Sequence, residues 1–376
     1  MPNNVQVVEV ESRAQLRDFI TYPNRLYRDD PCYVVPLLSE RLEFFDFEKN
    51  PFYRAARVRL FLAKRGEVTV GRIATCINYA HNEFHGEKTG FFGFFDCPDD
   101  YDVAFVLLKV AMIRLKMEGM EKMRGPMNFS TNHEIGFLVE GFDEPPRIMM
   151  PYNPPYLPEL AARFGLRKAM DLLAYKLTDE TPIPERVETV IGKIRQRGNL
   201  VVRPIRLRDF DNEVDRVNQV YNQAWQNNWG FVPMGDAEFR WIARNLRQVI
   251  DPDLALLCEH EGRPIAFILG IPDINQALAR LRGRLFPLGL LRLLWHTKIR
   301  NKIDGVRVLT MGVIPPYQRR GIDMMLYTEV YRRGVKKGYR WAELSWILET
   351  NTLMRSAADA IGAKVYKRYR IVELPL

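Results

Sequence analysis

Three short stretches of the chain carry residue types that could do chemistry. The first is VLTMGVIPPYQRRGIDMMLYTEV, Val308 to Val330. A β-type apolar run enters a loop with Gln318, Arg319, Arg320 and Gly321, and a helix-type run opens at Ile322 and Asp323. A helix N-terminus presents unpaired backbone N–H groups and the positive end of the helix dipole. Gly321 permits close backbone approach and the two arginines add charge, so the loop reads as an anion cradle with a pyrophosphate as natural guest. The second stretch is WAELSWILE. Alternation along a strand places Glu343, Ser345, Ile347 and Glu349 on one face, where two carboxylates and a hydroxyl could take a proton. The plain alternative is the solvated side of a strand. The third is YNQAWQNNWGFVP, whose Trp225, Trp229 and Phe231 would form an apolar wall or simply pack in a core.

These residues need a scaffold, and the sequence describes it twice. RVRLFLAK, Gly66 and VTVGRIATCIN read as a hairpin, then GFFGFFDC as a third strand, then Asp99 to Gly119 as a helix. LALLCEHEGRPIAFILGIPDIN reads as a second hairpin, followed by the strand from Arg307, the helix to Gly338, the strand WAELSWIL, a short helix ended by Gly362, and the strand KVYKRYRIVE. Two halves with one order of elements suggest duplication. The expected fold is α/β (α+β) with two domains, each a mixed central sheet flanked by helices. The expected boundaries are 1–180, a polar linker at 181–199, and 200–376 with an insertion at 272–304.

At the loop after Val308 the chain resembles the GNAT superfamily of acyl-CoA-dependent N-acyltransferases. Their donor motif, a strand ending in Val-x-Pro and then Gln/Arg-x-x-Gly-x-Gly/Ala opening a helix, is matched by Val313, Pro315, Gln318 and Gly321, with Asp323 in the last position. The resemblance covers about residue 200 to the C-terminus, and by element order alone the first half is similar to a degenerate second copy. It implies acyl-CoA as co-substrate, no metal, and a primary amine attacking directly in a ternary complex. It assigns the acyl carbonyl to the backbone of Gly312 and Val313, and the phosphates to Gln318, Arg319, Arg320, Gly321 and Ile322. Asn351 is a further donor-site candidate, and also a natural cap for the next helix.

Two departures stand out. Asp323 occupies a Gly or Ala position, where a carboxylate repels phosphate unless it turns away as a helix cap. The Tyr that often serves as general acid would fall near Ala358; Tyr366 and Tyr369 are substitutes, or packing residues. In the first half, Asp96, Asp99, Asp100 and Asp102 lie where phosphate would, which argues against a second donor site. His133 and Glu134 are candidates to face the acceptor. His81 and His85, spaced i and i+4, lack a third nearby ligand, so no metal is expected there.

The 376 residues carry a net charge of +9, and seven of those charges lie between Asn275 and Ile303 with no acid among them. That segment reads LFPLGLLRLLWHTK at its centre, and Arg284, Leu291, Arg292, Leu294 and Trp295 have the composition of an anchor on an anionic membrane. A basic flap packed on the protein's own core is the alternative. Four scattered Cys without a CxxC pair, no signal-like start and no long apolar run point to the cytoplasm, with peripheral attachment at the inner face of the membrane. Position above the donor strand suggests an amphiphilic substrate, a ceramide-type N-acylation of a long-chain base being one option. The rivals are a tRNA-dependent Fem-type aminoacyl ligase, the only reading that calls for nucleic acid, and a non-catalytic module for an acidic surface. The anchor has a direct test. The protein should sediment with phosphatidylglycerol vesicles at low salt and release as salt rises, because each Lys or Arg at such a surface contributes about 1 kcal/mol and is screened. Leu291→Asp with Leu294→Asp should stay folded and in the supernatant; wild-type protein that never sediments is a flap.

Overall fold

The structure is a computed structural model that describes residues 4–197, 199–279 and 303–376. The predicted insertion residues Arg284, Leu291, Arg292, Leu294 and Trp295 lie outside the described residues. The described chain divides into two compact units.

In the first unit, β1 (Val5–Glu9) pairs with β2 (Ala56–Arg65), which turns at Gly66 into β3 (Val68–Asn78). β3 pairs with β4 (Thr89–Asp96), and β4 runs parallel to β5 (Lys122–Gly125). Between β4 and β5 the helix Tyr101–Met117 packs on the sheet, burying Val103, Leu107, Leu108, Ala111 and Leu115. These recur at helical spacing, so one stripe of the helix closes the core. The sixth strand is residues 367–375 of the chain's last strand, Lys364–Pro375, paired antiparallel with β5 through Val372↔Gly125.

The second unit repeats the plan. The strand Leu200–Pro204 pairs with Ala255–His260, which turns into Arg263–Pro272, which pairs with the donor strand Gly305–Val313. The donor strand runs parallel to Trp341–Leu348, with the helix Ile322–Lys336 between them in sequence. The sixth strand is residues 172–178, paired through Trp341↔Thr178 and Leu348↔Leu172. Leu254, Leu256, Ile268, Val306, Leu326 and Val330 are among the side chains buried between sheet and helix.

Two features differ from expectation. Residues 172–178 were expected to close the first half and the C-terminal strand the second; each closes the unit built from the other half of the sequence. Period-two apolar patterning identifies a strand but not its partner. The expected linker at 181–199 holds a helix, Glu185–Arg197, with Val187 and Ile191 in the core. Val187, Val190, Ile191 and Ile194 follow the i, i+3, i+4, i+7 rule beneath a polar composition.

Gly305 opens the donor strand opposite Trp341, whose indole N–H donates to Asp304 at 3.0 Å. A Cβ on Gly305 would lie 1.8 Å from that ring. Gly305→Ala should therefore destabilise the protein by about 1–3 kcal/mol or more through overpacking, read as a lowered urea midpoint; an unchanged midpoint would show that the Trp341 ring is free to move aside.

Candidate active site

The donor strand and its parallel neighbour are hydrogen-bonded only at their start. Their pairs are Gly305↔Trp341, Val306↔Ala342, Arg307↔Glu343 and Val308↔Leu344. Beyond Val308 each strand carries one extra residue against its other neighbour. Thr310 and Val308 face consecutive partners, Leu269 and Gly270, so Leu309 bulges. Leu344 and Ile347 face Tyr175 and Leu173, so a bulge falls at Ser345 and Trp346. A bulge bends its strand, and the strands part into a cleft of about 430 Å³.

One wall of the cleft is the donor strand from Val308 to Val313; the other is Leu344 to Leu348, continued by Asn351 to Met354. Trp225 and Trp229 overhang it, and the loop residues Gln318 and Arg319 with Ile322, Asp323 and Tyr327 form the far end. Donor-strand carbonyls that face the cleft find side-chain donors. The Trp225 indole N–H donates to the Met311 carbonyl at 3.0 Å, and the Gln318 amide to the Val313 carbonyl at 2.9 Å. Gly312 admits the close approach of Ala224 and Phe267, each 3.0 Å from where a Cβ would stand. Thr310 lines the cleft with its hydroxyl buried and unpartnered among the described residues.

Gly321 caps the donor helix in the left-handed region, φ 77°, and supplies no side-chain cap. Arg319 and Arg320 are exposed, with the Arg320 guanidinium 5.2 Å from the centre of the Tyr317 ring. Asp323 folds back: its carboxylate accepts from its own N–H and that of Met324, and burial raises its pKa. The helix dipole favours such a cap, and it engages two amides at the anion-binding end of the helix.

The carboxylate strand is more ordered than alternation implies. Glu343 and Ser345 do share a face, but the bulge turns Ile347 to the opposite face, beside Leu344 in the core. Ser345 donates to Glu343 Oε1 at 2.6 Å and accepts from Arg307 Nε at 3.1 Å; Tyr366 donates to Glu343 Oε2. Arg307 and Glu343 are fully buried, and the guanidinium lies 5.1 Å from the centre of the Trp346 ring.

Other predicted residues stand elsewhere. Glu349 is not part of the cleft lining, and its backbone carbonyl accepts from Arg355. Asn351 does line the cleft and caps the helix Thr352–Ala360, accepting from the Met354 N–H at 3.2 Å. Phe231 packs with Val220, Tyr221, Leu257 and Phe267 rather than in the cleft. His133 and Glu134 belong to the first unit. His133 sits edge-on to Phe44 and Phe52 and is paired with Ser130, burial holding its pKa at about 4; Glu134 pairs with Arg41. Sequence reasoning missed Arg307, Thr310 and Tyr327. An arginine amid the apolar residues of VRVLT was the one available signal.

The first unit's counterpart is filled. β4 and β5 pair from Thr89↔Lys122 only as far as Phe91↔Arg124, and beyond them Gly93 lies against the Met127 carbonyl, 2.0 Å from where its Cβ would be. Phe44, Phe45, Phe94 and Phe129 pack against one another there, Phe44 and Phe129 stacked and the others tilted. The helix that follows is capped by Asp100, which accepts from the Asp102 N–H at 2.9 Å and also pairs with Arg65.

Known proteins place this architecture. A Caulobacter vibrioides protein named bacterial ceramide synthase is 36% identical over 378 residues, 99% of this chain and 98% of its own. Protein YghO of Escherichia coli is 37% identical over 368 residues, 96% and 93% of the two chains. The chain belongs to their family. Its fold is that of tandem GNAT proteins: one from the clavulanic acid biosynthesis pathway superposes with a TM-score of 0.56 at 12% identity, over 99% of this chain and 98% of that one. No family profile matches the chain. The protein is thus an acyltransferase with the tandem GNAT fold. Among the described residues of this acyltransferase, no group of three or more His, Cys, Asp or Glu is placed to hold a metal ion, and no helix is long and apolar enough to cross a membrane.

The far end of the cleft generates a pH prediction. Asp323 is charged above its raised pKa and repels a phosphate; as pH falls through that value the repulsion is lost. Even at the dielectric of water, two unit charges at 4 Å repel by about 1 kcal/mol. Asp323→Asn should bind coenzyme A several-fold more tightly at neutral pH than the wild type, and the gap should close toward acid pH. Equal affinities at neutral pH, by calorimetry, would show that Asp323 is remote from the phosphates. Arg319→Ala with Arg320→Ala should weaken binding instead, by about 1.5–3 kcal/mol for each charge-assisted bond removed.

Proposed function

We propose that the protein transfers an acyl group from acyl-CoA to a primary amine, by direct attack within a ternary complex, and that donor and acceptor are both amphiphilic. The observation that carries this reading is the cleft between the parted strands, which reaches the start of the donor helix at Gln318, Arg319 and Ile322, beside the exposed Arg320 and the left-handed Gly321. A pantetheine arm is an extended chain with amides, and a strand edge of unpaired backbone groups suits it as an added strand. The adenine end would lie outside, with its phosphates toward Gln318 to Ile322. The backbone N–H of Val313, on the cleft side of the strand, would stabilise the oxyanion formed on attack.

Substrate class is supported by three things together. The cleft wall carries an apolar portion, with Trp225, Trp229, Met311, Leu353 and Met354, beside polar Asn227, Asn228 and Asn351. The basic, leucine-rich stretch 280–302 has the composition of a membrane anchor. The Caulobacter relative is named for ceramide synthesis. Ceramide-type N-acylation of a long-chain amino alcohol unites them, at the inner face of a membrane. Purified protein with palmitoyl-CoA and sphinganine should release free thiol and form the amide, and palmitoyl-CoA should raise the melting temperature more than acetyl-CoA does. Thiol release with acetyl-CoA and a short amine, but not with the long pair, would refute the lipid assignment while leaving acyl transfer standing.

A further inference from the structure

We infer that Ser345 is the proton-transfer residue of the cleft, and that it works through a buried relay of Glu343 and Tyr366 set in place by Arg307. The inference rests on the acyltransfer reading above and extends it to the fate of the amine's proton.

Glu343 itself is fully buried and does not line the cleft. Ser345 does line it, and its hydroxyl donates to Glu343 Oε1 at 2.6 Å. Any proton passing from the cleft to that carboxylate along these hydrogen bonds therefore goes through Ser345. The bulge makes this possible: without the extra residue, Ser345 would continue the flat strand beside the donor strand rather than edge the opening. The donor strand's own bulge sets Thr310 on the face that carries Arg307, so both hydroxyls flank the point where the strands part.

The second carboxylate oxygen accepts from the Tyr366 phenol. Arg307 donates to Ser345 and stands 3.6 Å from Glu343, which fixes the hydroxyl's direction and balances the buried negative charge. Lys176 is the register partner of Glu343 on its other side, with its ammonium 5.6 Å from the centre of the Tyr366 ring. Glu343 is thus faced by Arg307, Lys176, Ser345 and Tyr366 from the three strands around it.

The step balances. The amine nitrogen bonds to the thioester carbonyl carbon, and its proton passes to Ser345 Oγ as the serine proton passes to Glu343 Oε1. The carbon–sulfur bond then breaks, the thiolate leaves with the electron pair and takes a proton from water, and Glu343 returns its proton to water. Thioester and amine become amide and thiol. Arg307 and Tyr366 are positioning residues.

The test compares Ser345→Ala, Ser345→Thr and Tyr366→Phe with the unaltered protein, using palmitoyl-CoA and sphinganine with thiol release as readout. Positioned proton transfer contributes about 100-fold or more. Ser345→Ala should lose that much in kcat, with the palmitoyl-CoA KM and the donor-induced rise in melting temperature unchanged, and Ser345→Thr should recover most of the loss. Tyr366→Phe removes one of the hydrogen bonds that hold the Glu343 carboxylate in place, so its kcat should fall about tenfold while the palmitoyl-CoA KM and the donor-induced rise in melting temperature stay unchanged. Near wild-type kcat in Ser345→Ala, or in Tyr366→Phe, would overturn the relay while acyl transfer stood. No thiol release by the unaltered protein would overturn the acyltransfer reading itself, before any variant is compared.

Discussion

Everything at the site depends on two parallel strands that stop hydrogen-bonding after the Val308–Leu344 pair. Backbone N–H and C=O groups taken out of water must find partners. Inside a sheet the neighbouring strand supplies them, and where the strands part something else must. Side chains meet part of the demand here, with Trp225 on the Met311 carbonyl and Gln318 on the Val313 carbonyl. What they leave is a strand edge inside a cleft, which is a template for an extended ligand with amides of its own. The bulges at Leu309 and at Ser345–Trp346 therefore act as structural devices: each bends its strand, and each also resets which side chains face the opening.

The first unit shows what the same topology becomes without that demand. Its parallel pair also ends early, but aromatic rings and a tight glycine contact occupy the gap, and Asp100 caps the following helix. Packing energy replaces ligand binding: four phenylalanines bury apolar area that would otherwise line a cavity. The two units also differ at their helix starts. The acidic side chain that engages the first amides precedes the helix in the first unit, as Asp100, and lies inside the first turn in the second, as Asp323, behind a left-handed glycine.

Much of this was legible in the sequence, for definable reasons. The hairpins, the donor strand and the helix behind QRRG follow from short-range patterning, since each is set by residues within a few positions of one another. Ser345 and Glu343 were found by alternation, and alternation is what misplaced Ile347, because a one-residue bulge carries no compositional mark. The exchange of closing strands was illegible because partner choice depends on which sheet edge a strand meets. Arg307 was passed over because its meaning lies in two residues on another strand, nearly forty positions away.

Charge is divided along the cleft in a way that separates the two tasks of an acyl transfer. At its far end the exposed Arg319 and Arg320 offer cationic charge in water, where a pair is weak and exchangeable, which suits a donor that must leave after every turnover. Asp323 adds a counterweight of the opposite sign at the same end. At the parting point the order is reversed: an arginine and a carboxylate are wholly buried, pinned by a serine, a tyrosine and a tryptophan ring. Burying that pair has a cost that surface charges avoid, and losing either partner would strand the other without solvent. A fold that needed only stability would be served as well by apolar residues at Arg307 and Glu343. Their placement beside the cleft, one hydroxyl away from it, fits chemistry that requires a fixed carboxylate in low dielectric.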